Sequence, residues 1–456
     1  MKKLFGTDGM RGEAGTFPMD AATIQTVGAS LATRLKEKLG QAPLIVIGRD
    51  TRESGEWLEQ ALTTGAASGG AEWKSAGVIT TPGVAFLART LPADAGVVIS
   101  ASHNAYRDNG IKIFAPSGRK LDEETERLIE SDVLSQRAAS PTISSDPLFA
   151  TLPSHADEAD ALRTRYRDFL VKKISRDISL EGIRLVLDCA NGASSDIAPE
   201  LFHRLGATVT TINNSPDGRN INLDCGSLHP EGLQAEVIKE RADLGVAFDG
   251  DADRALFVDA RGRLVNGDAT LWVLARYLHA HHELNHDTVV ATVMSNIGLE
   301  LAFQSQGIKL VRADVGDKYV LEELLRLGAS LGGEQSGHII FPGLSLAGDG
   351  LITTICLLRV VTEVGKDLDE LTEGFQTFPQ ILVNVAVKVK RPFAEVPEIQ
   401  HLAQEIVSKL GSEGRLLLRY SGTESLARVM IEGKSQSEIE RHASDLASVI
   451  RQTLGA

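Results

Sequence analysis

Leu44-Ile45-Val46-Ile47-Gly48 leads through a polar turn into a helical pattern running from Trp57 to Ala67. An apolar run of that kind, closed by glycine and followed by a helix, reads as a strand covered on both faces. The unit recurs at Gly96-Val97-Val98-Ile99-Ser100, at Ile183 to Leu187 and at Val289-Val290-Ala291-Thr292-Val293. Buried Val/Ile runs alternating with helices require α/β crossovers, so the fold class is α/β. Further out, residues 138–157 are rich in Ser, Pro and Ala and carry little periodicity, which closes a first unit at 1–155. Asp157 to Lys173 then reads as a helix with Leu162, Tyr166, Phe169 and Leu170 on one face. Later units are expected at 156–257, 258–371 and 372–456. The last differs in kind: Val383 to Val389 alternates like a strand with one solvated face, and Ser437 to Leu454 reads as a helix, an α+β module.

Composition narrows the classes. With 43% apolar and 24% charged residues the chain can bury a core, which excludes a disordered protein. The 43 Gly and 15 Pro follow no three-residue period, which excludes a collagen-like one. A net charge of −14 argues against a non-specific nucleic-acid binder, which needs a basic face. A local phosphate pocket remains compatible with it. Lys2-Lys3 is followed at once by Gly6-Thr7-Asp8-Gly9 instead of a signal core, and no apolar run nears the roughly 18–20 residues of a membrane span. Cys189, Cys225 and Cys356 form neither a CxxC pair nor a disulfide framework, so a reducing cytoplasm is expected.

Five polar segments could carry chemistry. Asp249-Gly250-Asp251-Ala252-Asp253-Arg254 follows the apolar Leu244 to Phe248. If extended, its carboxylates at i, i+2 and i+4 share one side, where their repulsion calls for a hard cation such as Mg²⁺, a reading favoured over a solvated acidic turn after a strand. An EF-hand is excluded, because the sixth position is Arg254 instead of Gly and the twelfth Ala260 instead of Glu. Ser100-Ala101-Ser102-His103-Asn104 follows a strand, where open sheets place ligands. Ser102 reads as a nucleophile, a phosphate carrier or a helix N-cap, and His103 as a loop-orienting side chain. Gly333-Glu334-Gln335-Ser336-Gly337-His338 offers the groups a polyhydroxy ligand needs, or is an ordinary turn. Arg419-Tyr420-Ser421-Gly422-Thr423-Glu424, with Arg428, reads as a phosphate cradle or an exposed turn. Gly6-Thr7-Asp8-Gly9-Met10-Arg11-Gly12 lacks the P-loop ending, and no GxGxxG follows a strand, so nucleotide binding loses support.

Taken in their order along the chain, the five segments, with Asp188-Cys189-Ala190-Asn191-Gly192-Ala193 and Cys225-Gly226-Ser227-Leu228-His229-Pro230, resemble the α-D-phosphohexomutase family over essentially the whole chain. The resemblance implies four domains around a central cleft, three related α/β domains plus a C-terminal α+β phosphate-binding domain. It implies that Ser102 is carried as phosphoserine, and that glucosamine 6-phosphate becomes glucosamine 1-phosphate through glucosamine 1,6-bisphosphate, feeding UDP-N-acetylglucosamine and cell-wall synthesis. Asp249, Asp251 and Asp253, with Ser102, would hold Mg²⁺, and Arg11 and Arg254 would lie near the reacting phosphate. Lys112 and His338 become acid/base candidates, the lysine requiring a pKa lowered by burial or nearby cations. Glu334 and Ser336 would read sugar hydroxyls, while Arg419, Ser421, Gly422, Thr423 and Arg428 would grip the phosphate that is not reacting.

The implied activator is glucosamine 1,6-bisphosphate or glucose 1,6-bisphosphate, and the implied partner a small phosphosugar, with no nucleic acid and no membrane. A homodimer, and a kinase or autophosphorylation as the source of the first phosphate, stay open. Ala105 and Ser425 stand where the family usually has proline, and Tyr420 where Lys, Pro or a small residue is common; loss of a fixed φ at 105 would loosen the serine loop. By the same resemblance Glu334-Gln335-Ser336 favours glucosamine over glucose, since gluco-selective members of the family typically have a different middle residue. The alternatives are a phosphomannomutase/phosphoglucomutase, a silent phosphosugar-binding protein and a metal-dependent phosphatase.

Overall fold

The computed structural model describes residues 3–6, 8–139, 156–421 and 424–455, so most of the connection expected at 138–157 lies outside the described residues. The first sheet contains β1 (Phe5–Gly6), β2 (Gly9–Glu13), β3 (Leu44–Arg49), β4 (Glu72–Val78), β5 (Ala95–Ile99) and β6 (Asp108–Phe114), in the order β1-β2-β6-β5-β3-β4. The second contains β7 (Arg184–Asp188), β8 (Thr208–Ile212), β9 (Leu244–Phe248), β10 (Ala255–Asp259) and β11 (Leu264–Val265), in the order β11-β10-β9-β7-β8. The third contains β12 (Thr288–Thr292), β13 (Lys309–Ala313), β14 (Leu331–Gly333) and β15 (Ile339–Ile340), in the order β13-β12-β14-β15.

One pattern runs through all three sheets. The arrangements β6-β5-β3-β4, β10-β9-β7-β8 and β15-β14-β12-β13 place the fourth, third, first and second strand in the same succession. In each, the first strand pairs in parallel with the third, and the third turns back antiparallel into the fourth. The three α/β domains are therefore related, a kinship that the strand runs alone did not reveal. The second sheet continues through β10 and β11 to Val265, so the boundary expected at 257 falls inside β10. The physical reason is that β10 must pair with β9 to close the turn carrying the aspartates, and it cannot be cut from its sheet.

Burial explains the strand sequences. Every residue of β5, β9 and β12 is buried, as strands covered by helices on both faces require. The helix Gly55–Ser68 stands where the pattern from Trp57 predicts it. The helix expected over 157–173 is α-helical over Ala156–Phe169 and ends in a π-helical turn, Leu170–Ile174. Two helix starts set the site: Thr80 Oγ1 caps Thr81–Thr90 by accepting Gly83 N–H at 3.1 Å, and Asp349 caps Gly350–Val364.

The chain forms two compact units, residues 1–293 with 311–373 and residues 294–310 with 374–456. In the second, β16 (Gln380–Ala386), β17 (Arg415–Tyr420) and β18 (Leu426–Glu432) make an antiparallel sheet in the order β16-β18-β17. Helix Gln436–Leu454 packs on it through Ile439, Ala443, Leu446 and Ile450. Among the described residues no helix is long and apolar enough to cross a membrane.

Candidate active site

The strand-three-to-strand-four turn of each related domain carries one of the polar segments. Ser102 lies between β5 and β6, Asp249 to Arg254 between β9 and β10, and Glu334 to His338 between β14 and β15. Three equivalent hairpins thus supply a serine, a carboxylate cluster and a polar sugar-type loop.

Asp249, Asp251 and Asp253 converge, with one carboxylate oxygen from each within 4.8 Å of the others. They converge through a turn and not along an extended strand: β9 ends at Phe248, and Ala252 takes a left-handed φ of 55°. Arg254 N–H donates to Asp249 Oδ1 at 3.2 Å and holds the turn closed. Gly250 must lack a side chain, because a Cβ there would stand 2.6 Å from the carbonyl oxygen of Ser102.

Two carboxylates at that spacing repel by about 3 kcal/mol at an effective dielectric near 20. Burial, reinforced by Asp253 and Asp251, accordingly raises the Asp249 carboxyl well above the ordinary range. For Asp253 burial pushes the same way, but Lys112, His338 and Arg254 outweigh it and hold the group well below that range. Asp251 Oδ1 is buried with no hydrogen-bond donor. An all-oxygen cluster with an unsatisfied buried oxygen fits a hard divalent cation.

Ser102, fully buried, donates from Oγ to Asp249 Oδ2 at 2.6 Å. No helix starts after it, which removes the N-cap reading, and its φ is 52°. His103 Nδ1 lies 3.2 Å from the same Oγ. Burial first, then Arg254 and Arg11, push the His103 imidazole down to about 4, so both arginines act at the serine loop. Arg11 pairs with Asp8, and Arg254 Nε lies 3.7 Å from Asp253.

Lys112, on β6, reaches Asp251 at 2.9 Å, Asp253 at 3.2 Å and Asp8 at 3.2 Å. The acid/base task called for a lowered lysine pKa, and the structure has the reverse. Burial favours the neutral amine, but the three carboxylates override it and raise the ammonium well above its usual value. His338 sits with Nδ1 3.5 Å from Asp253 and Nε2 3.9 Å from Asp317. Burial again opposes, while Asp253, Asp317 and Glu334 raise its imidazole to about 9. Gly348 makes room for this ring, since a Cβ would approach His338 Nε2 to 2.3 Å.

Asp8, Lys112, Lys120, Asp253, Asp317 and His338 all line one cavity of about 540 Å³. Asp8, Lys120 and Asp317 were not singled out from the sequence. Lys120 Nζ bridges Asp8 at 2.8 Å and Asp317 at 2.7 Å, and Thr81 Oγ1 donates to Asp251 at 2.5 Å. Asp8 lies inside a quoted motif, and the other three gave no sequence signal.

In the third loop Glu334 Oε1 accepts Gly316 N–H at 3.2 Å and Ser336 Oγ donates to Glu334 at 3.4 Å. Gln335 Nε2 instead donates to Asp268 at 3.2 Å, which anchors the loop to the helix Gly267–Ala280. In the second compact unit Arg419 and Arg428 are directly opposed across β17 and β18. Arg428 is paired with Glu424, whose carboxylate lies 3.2 Å from its guanidinium. Ser421 stands beside them, 3.5 Å from Arg428, and Lys390, missed in the sequence, donates to its carbonyl at 2.6 Å. Gly422 and Thr423 lie outside the described residues.

Comparison with known proteins adds an independent line. The phosphoglucomutase/phosphomannomutase family matches in all four parts: alpha/beta/alpha domain I over 2–140, domain II over 164–262, domain III over 266–378 and the C-terminal domain over 382–449. The phosphoglucosamine mutase of Solibacter usitatus is 49% identical over 454 residues, covering 100% of this chain and 99% of that one. Among solved structures, a phosphoglucomutase/phosphomannomutase family protein from Burkholderia thailandensis matches with a TM-score of 0.77 at 24% identity, covering 99% of this chain and 97% of that one. The N-acetylphosphoglucosamine mutase of Aspergillus fumigatus, solved with GlcNAc-6P and magnesium, matches at 0.66 and 18%, covering 98% and 95%. At those identities the two structures speak for the fold, and the full-length relative speaks for kinship. With four domains matched in order and serine, aspartate and histidine loops on equivalent hairpins, this chain belongs to the phosphoglucomutase/phosphomannomutase family, the α-D-phosphohexomutases.

Proposed function

We propose that the chain interconverts glucosamine 6-phosphate and glucosamine 1-phosphate, with Ser102 as the phosphoryl carrier and glucosamine 1,6-bisphosphate as the intermediate. The observation that carries this reading is the 2.6 Å hydrogen bond from Ser102 Oγ into the three-aspartate cluster. A buried hydroxyl beside an oxygen cage for a hard cation is what reversible phosphoryl transfer uses. The amino sugar is supported by the activity named for the Solibacter relative, and the cation by the magnesium in the Aspergillus structure.

Asp249, Asp251 and Asp253 would hold Mg²⁺. Bound there, it would neutralise charge on the transferring phosphoryl group and offset the carboxylates that now hold the Lys112 proton. In one half-reaction the P–Oγ bond of phosphoserine breaks as a P–O bond forms to the free sugar hydroxyl, whose proton passes to the neutral amine of Lys112 while Ser102 Oγ takes up one hydrogen and leaves as a hydroxyl. In the other, the second phosphate leaves the sugar for Ser102 Oγ, and the hydrogen that Oγ gives up replaces the one delivered to the sugar oxygen, so that hydrogens balance over the half-reaction. His338, protonated at neutral pH, is placed to supply that proton. Arg11 and Arg254 steady the reacting phosphate, and Glu334 and Ser336 bind sugar hydroxyls. Arg419, Ser421, Gly422, Thr423 and Arg428 hold the remote phosphate, whose binding energy orients the reacting end. On this reading the second domain ends after Val265 and not at 257, and residues 372–456 are the phosphate-binding domain. The first phosphate on Ser102 would come from glucosamine 1,6-bisphosphate, glucose 1,6-bisphosphate, a kinase or autophosphorylation.

The test pairs peptide mass spectrometry of Ser102 with a coupled assay of glucosamine, glucose and mannose phosphates in Mg²⁺ and a bisphosphate. Glucosamine phosphate is expected to be preferred, and Ser102→Ala to lose about 10³-fold or more in kcat. Full activity in Ser102→Ala would sink the phosphoserine route. Phosphate release without isomerisation would select a phosphatase.

A further inference from the structure

Two segments of the chain, Asp188 to Ala193 and Cys225 to Pro230, contribute no group to the reaction above, yet they are joined to each other and to Asn222, the residue that meets the Ser102 carbonyl. Asp188 accepts Ala190 N–H and Gly226 N–H, each at 2.9 Å, and joins the two segments. Ala190 carbonyl accepts Asn222 N–H at 2.9 Å, which sets Asn222 in a left-handed turn with φ 57°. From there the Asn222 amide donates to the carbonyl of Ser102 at 2.9 Å and to that of Asn104 at 3.0 Å.

A second donor meets the same two carbonyls. Arg52, whose side chain is completely buried, donates from Nη2 to Ser102 carbonyl at 3.0 Å and to Asn104 carbonyl at 2.8 Å. Its Nη1 reaches the carbonyl of Ala105, and its Nε donates to Asp50 Oδ2 at 2.9 Å. The same Asp50 oxygen accepts Ser100 Oγ–H at 2.6 Å, and Ser100 Oγ accepts Ser102 N–H at 2.9 Å. Each carbonyl has two lone pairs, and a guanidinium and a carboxamide occupy both. Every backbone polar group of Ser102 is therefore held, and held in a left-handed conformation that serine adopts only under constraint. Arg52 approaches from the turn after β3, while Asn222 belongs to the second sheet's domain. The clamp therefore spans the domain that supplies the serine and the one that supplies the aspartates.

We propose that Arg52 and Asn222 are positioning residues of the serine loop, gripping its carbonyls from two domains so that Ser102 Oγ is presented to the aspartate cluster. The proposal rests on Ser102 being the phosphoryl carrier. Arg52 also supplies, at the carbonyl of Ala105, a restraint at the position where proline is usual in the family.

The test uses the full chain with Asn222→Asp and Arg52→Lys. Aspartate keeps the shape and tolerates the left-handed turn, but it turns a carboxylate oxygen toward two carbonyls. Lysine keeps the charge and loses the fork. Four quantities are read: single-turnover transfer of phosphate from glucose 1,6-bisphosphate to Ser102 by intact mass, kcat and KM for glucosamine 6-phosphate, the melting temperature, and its shift with Mg²⁺. Both kcat and the transfer rate are expected to fall about 10- to 100-fold, as for a reacting group displaced by an ångström. KM should stay within about twofold of the parent, and the Mg²⁺ shift should be retained. Should Arg52→Lys fail to fold, Asn222→Asp decides alone. If the parent takes phosphate at Ser102 and the folded variant takes it equally fast, positioning is wrong. A fall in kcat that merely tracks a lost melting temperature and a raised KM overturns it equally. If the parent itself takes no phosphate at Ser102, the carrier reading fails and this proposal with it.

Discussion

His338 stands between two carboxylates, Nδ1 toward Asp253 and Nε2 toward Asp317, in a site that leaves it almost no solvent. Burial alone would strip its proton; the two acids keep it, and the imidazole titrates at about 9 instead of 6.5. A folded-state pKa raised above the unfolded one adds stability that is complete below about 6.5 and is lost as pH rises through 9. In metal-free protein the effect is expected to reach about 3 kcal/mol. Chemical denaturation of wild type and His338→Gln after chelation should show a stability difference that shrinks between those two pH values. A difference independent of pH would mean that Asp253 and Asp317 do not hold the proton. Ser102, the three aspartates and His338 were legible in the sequence, because each sits inside a short polar motif, whereas Lys112 came only from the family resemblance and Thr81, Lys120 and Asp317 gave no signal. Charge states were not legible: the raised proton affinity of Lys112 comes from Asp8, Asp251 and Asp253, of which one lies more than a hundred residues before it in the chain and two more than a hundred after it.

The hairpin between third and fourth strands is the element on which this molecule places its chemistry, and the helix starts around it hold the hairpins in place. Helix Gly350–Val364 is an example. Asp349 Oδ1 accepts Leu351 N–H at 2.9 Å and Ile352 N–H at 3.1 Å, while Oδ2 accepts the Tyr166 hydroxyl at 2.7 Å. Two residues flanking the cap touch the site, Gly348 at His338 and Gly350 at Arg254. Asp349→Ala removes a cap and strands a buried hydroxyl, so it should cost about 2–4 kcal/mol in urea unfolding and lower kcat. Asp349→Asn, which keeps an acceptor for the helix N–H groups, should cost clearly less. Equal losses in both variants would show that the cap is not what the site depends on. Strand and helix positions were readable from period and punctuation, as at Leu44 to Gly48 and the helix from Trp57. The end of the second domain was not, because whether Ala255 to Asp259 closes one sheet or opens another depends on its partner strand.

Across the whole chain a net charge of −14 says little, while three of its acids, buried together, say a great deal. Burial and its two neighbours raise the proton affinity of Asp249, so protons and a cation compete for that carboxylate. Mg²⁺ is therefore expected to raise the melting temperature, by about 2.7 kcal/mol of stability at a hundredfold excess over Kd. Because the Asp249 carboxyl titrates above the ordinary range, apparent affinity should fall as pH is lowered through that raised value. Asp251→Asn should abolish most of the thermal shift while leaving the fold intact. A Mg²⁺ shift of equal size in Asp251→Asn, read by scanning calorimetry, would place the cation elsewhere.

By itself the amino-acid sequence determined the α/β class, the ordered motifs and the family they resemble, because each depends on residues within about a dozen positions of one another. Only the tertiary structure decided that three domains repeat one strand order and that the aspartates meet through a left-handed turn at Ala252. It alone joined Asp8, Lys120 and Asp317 into one charged wall and closed Arg52 and Asn222 on the serine loop. These are pairings between residues remote in sequence. Their energies come from burial and from charges brought within a few ångströms, and neither exists until the chain has folded.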